Sequence, residues 1–396
     1  MNIALVGMMG SGKSRVGKEI AHSLGFGFAD TDRMVEELEG EGIAQIFQRS
    51  GEEGFRISES AMVGQAAGLE DTVIACGGGA VENDENMRIL LENCIVFHLS
   101  CTPALAAQRV EKDSVRPLLA GKGAVGVLTQ LLERREANYK RAHFKVDANE
   151  DVKKTMGEVK RILSREVELC AVVTARGAKA AKGQVAQAAR EGAKMVELRL
   201  DLTGCSAAEA GELASECRRL RLQSIATCRE GNEGGKFEGS TQEKIELLAG
   251  AASNGASFID CEIAQKDAVA KAGEIARANR CKLIASMHEM EGTPDAKMVE
   301  SIMHEQMKVA DVGKIACNVE KEGCGALMRA LGKASEMKFP LIASPMGHNS
   351  IAARVACGLA GSRFVFGFVG MPSLEGQPSF RELKSAKEKF AALESD

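Results

Sequence analysis

Short apolar runs alternate with amphipathic stretches along the whole chain. Asn2-Ile3-Ala4-Leu5-Val6 reads as a buried strand, since the run is apolar and of strand length. A glycine-rich turn follows it, and then helical spacing from Lys13 to Leu24. Val73-Ile74-Ala75-Cys76 and Cys94-Ile95-Val96-Phe97-His98-Leu99 are two further short apolar strands with helical patterns between them. Strands alternating with helices predict a parallel sheet covered by helices. A charged amphipathic segment, Asp151 to Ser164, closes this unit. From Leu169 the rhythm becomes regular. Candidate strands are Leu169–Thr174, Met195–Leu200, Gln223–Cys228, Ser257–Glu262, Lys282–Met287, Asp311–Ala316, Leu341–Ser344 and Arg363–Gly367, each separated from the next by a helical pattern. Eight such units in about 230 residues have the size of a (β/α)₈ barrel. The expected division is therefore an α/β sheet domain over 1–164 and a barrel over 165–396.

Composition narrows the function more than the fold. A length of 396 residues fits two domains at roughly 100–200 residues each. The net charge of −4 supplies no basic field for nucleic acid, and a chain with no tryptophan and one tyrosine, Tyr139, has no platform for stacking bases. The opening Met1 to Gly7 carries no basic stretch ahead of its short apolar run, and no apolar segment is long enough to span a bilayer. None of the twelve cysteines forms C-x-x-C, so reduced, buried thiols in a cytoplasmic protein are expected rather than metal ligands or disulfides.

The chemistry of the first domain begins at Gly7-Met8-Met9-Gly10-Ser11-Gly12-Lys13-Ser14, which matches G-x-x-x-x-G-K-[ST] directly after a strand and opening a helix. Glycines let backbone N–H groups curl around phosphate oxygens; Lys13 neutralises the outer phosphates and the Ser14 hydroxyl suits Mg²⁺. This motif predicts ATP but not the acceptor. The ordered series that follows is Phe28-Ala29-Asp30-Thr31-Asp32, Gly51-Glu52-Glu53-Gly54-Phe55-Arg56, Gly77-Gly78-Gly79 and Arg116-Pro117-Leu118-Leu119. With it the first domain resembles shikimate kinase. The resemblance implies that Asp32 binds the shikimate hydroxyls and helps deprotonate one, and that Asp30 lies near the Mg²⁺ shell. It further implies that Arg56 and Arg135 grip the carboxylate, that Gly77, Gly78 and Gly79 admit the ring, that Arg116 reaches the phosphates from a lid, and that Arg109 packs on adenine. Arginines suit a carboxylate because a guanidinium makes two parallel charge-assisted bonds. Helix capping is the alternative role for Asp30 and Asp32, a solvated helix face for Arg109, and Arg134 is the alternative to Arg135.

In the second domain Lys314 interrupts an apolar strand, Asp311-Val312-Gly313-Lys314-Ile315-Ala316. A lysine inside a barrel is costly unless used or paired, and an amine nucleophile needs a setting that lowers its proton affinity. His288 ends the strand before it, and Glu197, Arg199 and Asp201 alternate at the end of the second barrel strand, as one face would require. Thr227-Cys228-Arg229, Asp260-Cys261-Glu262, Pro345-Met346-Gly347 with Arg354, and Gly376-Gln377 complete the order. These segments resemble type I 3-dehydroquinate dehydratase. The resemblance implies that Lys314 forms an imine with the substrate ketone, that His288 is base and then acid, and that Glu197 orients His288. Arg354 would bind the carboxylate, with Arg199, Arg229, Ser373 and Gln377 on the remaining polar groups and the lid. No cofactor is required beyond the lysine. Two departures from the family stand out: Gly313 before the lysine, and Leu374-Glu375 before Gly376-Gln377. His22, His98, His143, His304 and His348 are expected to be structural.

The combined reading is a bifunctional enzyme acting on shikimate with ATP and on 3-dehydroquinate. One rival is a kinase of another small alcohol fused to an aldolase-like barrel. Another is a non-catalytic sensor resembling the fungal quinate repressors, which lose catalytic residues that Lys13, Asp32, His288 and Lys314 retain here. The strand–G-x-G-x-x-G–helix unit of a dinucleotide site is missing, so a separate shikimate dehydrogenase is the expected partner for the reduction between the two reactions. A homodimer through the barrel stays open.

Overall fold

A computed structural model describes residues 1–110, 123–320, 323–347, 351–372, 376–390 and 393. They fall into two units, Met1–Arg165 joined by a short segment from Glu388, and Glu166–Lys387. By its contacts the tail from Glu388, expected within 165–396, groups with the first unit. Lys389 ion-pairs at 2.5 Å with Asp71, which also holds the N-terminal amine of Met1 at 2.7 Å, and Phe390 and Leu393 are buried.

The first unit is a five-stranded parallel sheet in the order β2-β3-β1-β4-β5, with β1 (Asn2–Val6), β2 (Gly27–Asp30), β3 (Thr72–Ala75), β4 (Cys94–Ser100) and β5 (Phe144–Asp147). The three central strands are the apolar runs, because helices cover both faces of a parallel sheet. The edge strands β2 and β5 were not legible as strands. Each has four residues, and Phe144-Lys145-Val146-Asp147 alternates buried with exposed. The helices are α1 (Lys13–Leu24), α2 (Thr31–Glu39), α3 (Ile43–Ala67), α4 (Asp84–Asn93), α5 (Pro103–Val110), α6 (Ala124–Tyr139) and α7 (Val152–Leu163). Asp151 caps α7 by accepting the Lys154 N–H at 2.9 Å. Gly51 breaks α3 with φ 70° and ψ −173°, so its second half sets off in a new direction carrying Arg56 and Glu59.

The second unit contains all eight expected strands: β6 (Leu169–Val173), β7 (Met195–Arg199), β8 (Gln223–Thr227), β9 (Phe258–Glu262), β10 (Lys282–Glu289), β11 (Val312–Asn318), β12 (Leu341–Met346) and β13 (Val365–Val369). They form one parallel ladder, β12-β11-β10-β9-β8-β7-β6-β13. Between β12 and β13 the Arg363 N–H donates to Leu341 O at 2.9 Å and the Ala343 N–H to Ser362 Oγ at 3.0 Å. These bonds start β13 two residues later than expected. Strands β10 and β11 run further than expected because His288 and Glu289 pair with Ala316 and Cys317.

Inside the barrel, Cys170, Val172, Met195, Ile225, Phe258, Ile284, Val312, Ile342, Phe364 and Phe366 form an apolar plug. Each fully buried large side chain in it contributes ~1.5–3 kcal/mol. Glu197, Arg199, Glu262 and His288 lie at the C-terminal ends of their strands, the face that carries barrel active sites. All twelve cysteines are free and buried, and among the described residues no helix is long and apolar enough to cross a membrane.

Candidate active sites

In the first unit the turn from β1 to α1 is held as a cradle. Gly10 and Gly12 have φ of 78° and 91°, and a Cβ on Gly10 would lie 2.6 Å from the Ala106 carbonyl oxygen. Lys13 donates from Nζ to the carbonyl oxygens of Gly7 and Met8, both at 2.8 Å. Ser14 Oγ donates to Asp30 Oδ2 at 2.6 Å, so the two candidate Mg²⁺-shell residues meet. Asp30 does occupy the cap position of α2, but its side chain makes no cap bond. Ser11 Oγ is buried without a partner. Such an orphan costs ~1–3 kcal/mol, which a ligand oxygen would recover. Arg109 is not a solvated helix residue: it donates to Ala148 O at 3.0 Å, Glu150 O at 2.8 Å and Gly10 O at 3.4 Å. Arg116 lies outside the described residues.

A second cluster lies beside the cradle. Asp32 sits in the first turn of α2, and a Cβ on Gly77 would fall against Glu59 Oε1 and 2.5 Å from Asp32 Oδ1. One on Gly79 would overlap the Arg56 guanidinium. The glycines are therefore what allows two carboxylates and a guanidinium to close on this loop. Arg56 donates to Glu59 Oε2 at 2.6 Å and to Glu52 at 3.0 Å, and lies 3.6 Å from Glu82. Arg135, 1% exposed, donates to Glu82 at 2.9 Å. Arg134 also pairs with Glu82, but from an exposed position, so Arg135 is the inward residue of the two. Burial pushes the Glu59 carboxyl up, Asp32 adds to this and Arg56 opposes it. Gly78 lies between these groups and the cradle, where a Cβ would be 3.3 Å from Met9 N.

The barrel carries the other constellation. Lys314 Nζ lies 3.0 Å from Asp260 Oδ2 and 3.1 Å from Glu197 Oε1, over the Phe366 ring at 4.7 Å. The lysine is thus paired with carboxylates rather than set among apolar groups. Glu197 also accepts from Thr227 Oγ1 at 2.9 Å. Asp260 accepts from Ser286 Oγ at 2.6 Å, and Arg229 lies at 3.3 Å. Despite burial, Lys314 and Arg229 hold the Asp260 carboxyl down at about 2. Gln306 fixes the Lys314 peptide by donating to its carbonyl at 2.9 Å. This accounts for Gly313, where a Cβ would meet Gln306 Oε1 at 2.6 Å and Phe339 at 2.8 Å.

The expected partner of His288 needs correction. Glu197 serves Lys314; the carboxylate on His288 is Glu233, whose Oε2 is 2.9 Å from Nδ1 and accepts the His288 N–H at 3.0 Å. Arg229 contacts Nε2 from the other side. An arginine only donates, so Nε2 is the acceptor and Nδ1 carries the proton. Burial, reinforced by Arg229, Lys314 and Arg199, drives the His288 pKa well below its ordinary value, and the ring is neutral. Burial, with Glu262 and Asp260 adding, raises Glu233 to about 7.

Asp201 also departs from expectation. Strand β7 stops at Arg199, and the short helix Leu200–Thr203 turns Asp201 back to form a two-bond pair with Arg199 at 2.9 and 2.8 Å. Arg354 is buried and donates to Phe366 O at 3.1 Å; burial lowers it to about 10. Gln377 is half-buried, and Ser373 lies outside the described residues. His98 stacks on Tyr139, His143 accepts the Val96 N–H at 2.9 Å, and His304 Nδ1 lies 2.7 Å from Glu300 O, all structural roles; His348 is outside the described residues.

Sequence reasoning missed Glu59, Glu82 and Glu233 and gave Asp260 no role. Glu59 could have been found three residues after Arg56 on one helix face. Glu233 lies in a loop without periodicity, and only the fold brings it to His288.

Comparison with known proteins gives two family matches, shikimate kinase over residues 9–165 and type I 3-dehydroquinase over 169–392. A shikimate kinase of Caldanaerobacter subterraneus subsp. tengcongensis is 41% identical over 158 residues, covering 40% of this chain and 91% of that protein. One from Pelotomaculum thermopropionicum is 42% identical over 146 residues, covering 37% of this chain and 85% of that protein. A solved type I 3-dehydroquinate dehydratase of Clostridium difficile, with covalently modified comenic acid, shares the barrel fold at 21% identity and a TM-score of 0.52; the match covers 58% of this chain and 94% of that one.

Proposed function

From the premise that the chain belongs to the shikimate kinase family over 9–165 and to the type I 3-dehydroquinase family over 169–392, we propose a role for each residue in its two reactions. The protein is a bifunctional shikimate-pathway enzyme, a phosphotransferase and a carbon–oxygen lyase on one chain.

In the kinase site, Arg56 and Arg135 take the shikimate carboxylate, preset by the Glu82 that both approach. Asp32 accepts the proton of the attacking hydroxyl. Gly7, Gly10, Ser11 and Gly12 cradle the ATP phosphates, Lys13 turns from the loop carbonyls to the outer phosphates, and Arg109 borders the adenine. The oxygen donors Ser14 and Asp30 suit Mg²⁺ and would hold it. Bound there, it would neutralise charge on the phosphates.

In the dehydratase site, Lys314 passes a proton to Glu197 or Asp260 and attacks the substrate ketone, and water leaves to give the protonated imine. As Arg229 turns from Nε2 to a substrate hydroxyl, His288 Nε2 removes the proton from the neighbouring carbon. The resulting enamine expels the hydroxyl, which receives that proton from His288 and departs as water. A second water hydrolyses the imine, releasing 3-dehydroshikimate and the free lysine. Arg354 holds the carboxylate, and Arg199, Arg229 and Gln377 the hydroxyls. The observation that carries this reading is the buried Lys314 between two carboxylates beside a histidine held in one tautomer.

Glu233→Gln is expected to lower dehydratase kcat ~10²-fold, because an amide can donate to Nδ1 and release the tautomer. As the 2.9 Å contact also stabilises an imidazolium, the acidic limb of kcat should move to lower pH. An unchanged pH profile would reassign Glu233 to structure.

The two reactions are not consecutive, since a reduction separates them. With purified protein, ATP and 3-dehydroquinate, 3-dehydroshikimate should accumulate without shikimate 3-phosphate. Addition of a shikimate dehydrogenase and NADPH should restore phosphate transfer. Shikimate 3-phosphate formed without a reductase would reveal a third activity. The compartment fitting these substrates is the cytoplasm.

A further inference from the structure

Lys244, on the helix Thr241–Ser253, takes no part in the chemistry above, yet it is fully buried. Its ammonium pairs with Glu262, lies 3.3 Å from Glu230 Oε1 and donates to Gln265 Oε1 at 3.2 Å, which uses all three of its donors. The other oxygen of Glu262 lies 3.1 Å from Arg229 Nε and accepts the Glu230 N–H at 3.3 Å. Arg229 in turn touches His288 Nε2 and Asp260. An unbroken line of buried charges therefore runs Lys244–Glu262–Arg229–His288. It ties the loop that supplies both Arg229 and Glu233 to the end of β9.

A buried ion pair is a poor device for stability, since an apolar pair of similar volume often does as well or better. A charge placed here instead decides where Arg229 rests. With Lys244 present, Glu262 is already neutralised and Arg229 stays divided among Glu262, Asp260 and His288. Without it, Glu262 has Arg229 as its remaining close cation and draws it away from Nε2. We propose that Lys244 is a positioning residue of the dehydratase, holding Glu262 so that Arg229 stays beside His288 and within reach of the substrate hydroxyls. This rests on the dehydratase reading above.

The groups facing Lys244 are Glu230, Glu262, Cys261 and Cys228; those facing His288 are Arg229, Lys314, Arg199 and Glu233; Glu233 also faces Glu262 and Asp260. Of these, Arg229 is the one that the loss of Lys244 would move. Once Arg229 leaves Nε2, His288 binds its proton more tightly.

The test uses the full chain with Lys244→Met and Lys244→Arg. The Met variant should lose dehydratase kcat about tenfold, with the acidic limb of its pH profile about one unit higher. The Arg variant should restore both, and shikimate phosphorylation on the same chain should be unaltered. A Met variant with the wild-type acidic limb overturns the proposal, whatever its melting temperature. If that variant does not fold, Lys244→Gln, neutral but still able to bond Glu262, carries the same test with the same two outcomes. Borohydride trapping on Lys314 in the unaltered protein separates the two ideas. Its failure there would sink the dehydratase reading itself, whereas trapping with an unshifted Lys244 variant rejects this proposal alone.

Discussion

Lys314→Ala is expected to abolish dehydration of 3-dehydroquinate while the same chain continues to phosphorylate shikimate at nearly its full rate. The expected loss is on the order of 10⁴–10⁶-fold in kcat, because an imine needs a primary amine and Lys314 is the amine held between Glu197 and Asp260. Removing the lysine also leaves Glu197 and Asp260 buried with one cation fewer, a change that costs ~3–5 kcal/mol when nothing compensates. Thr227 on Glu197 and Arg229 on Asp260 soften it. Lys314→Arg separates the two effects, since a guanidinium keeps the ion pairs but cannot form the imine. It should be as inactive as the alanine variant and more stable. Borohydride with substrate should add ligand mass at Lys314 in the unaltered protein. Trapping on a different lysine, or substantial dehydration by either variant, would falsify the assignment.

Asp32→Asn should reduce phosphoryl transfer by ~10²–10⁴-fold and spare dehydration. Loss of folding is not the cause to expect. Asp32 lies beside Glu59 at Gly77, and its charge already raises the Glu59 carboxyl, so an uncharged side chain relieves a like-charge contact. A melting temperature close to that of the unaltered protein would separate lost chemistry from lost folding. Chelation by EDTA should stop phosphorylation and leave dehydration running. Dehydration lost on chelation and regained with metal would overturn the proposal that the barrel works without one.

The two predictions can be separated because each reaction is confined to its own unit, and that separation was legible in the residues. The nucleotide cradle is a local motif, so its spacing carries its geometry: Lys13 opens α1 where the pattern placed it. The eight barrel strands were legible from their regular alternation with helical patterns, each strand contributing apolar residues to a barrel whose interior is filled by an apolar plug. Strands β2 and β5 were not, since neither edge strand is a continuous buried apolar run. The C-terminal segment from Glu388 was placed in the barrel with the resemblance, and the family match runs to 392, while Lys389 within it pairs with Asp71.

By itself, the sequence determined which chemistry the chain can perform. Lysine, histidine, arginine and glycine in this order carry the resemblance on which an imine-forming amine, a base, carboxylate clamps and a phosphate loop are proposed, and residue type is a local property. Partnership among those residues was decided by the tertiary structure. Glu197 and Glu233 are both acids near strand ends, and nothing in their spacing tells which one serves the base. The barrel brings Glu197 to Lys314, 117 positions away, and Glu233 to His288, 55 positions away. The proton affinity of a buried group is set by whatever charges stand within a few ångströms, and distance in space is what a linear order of residues does not contain.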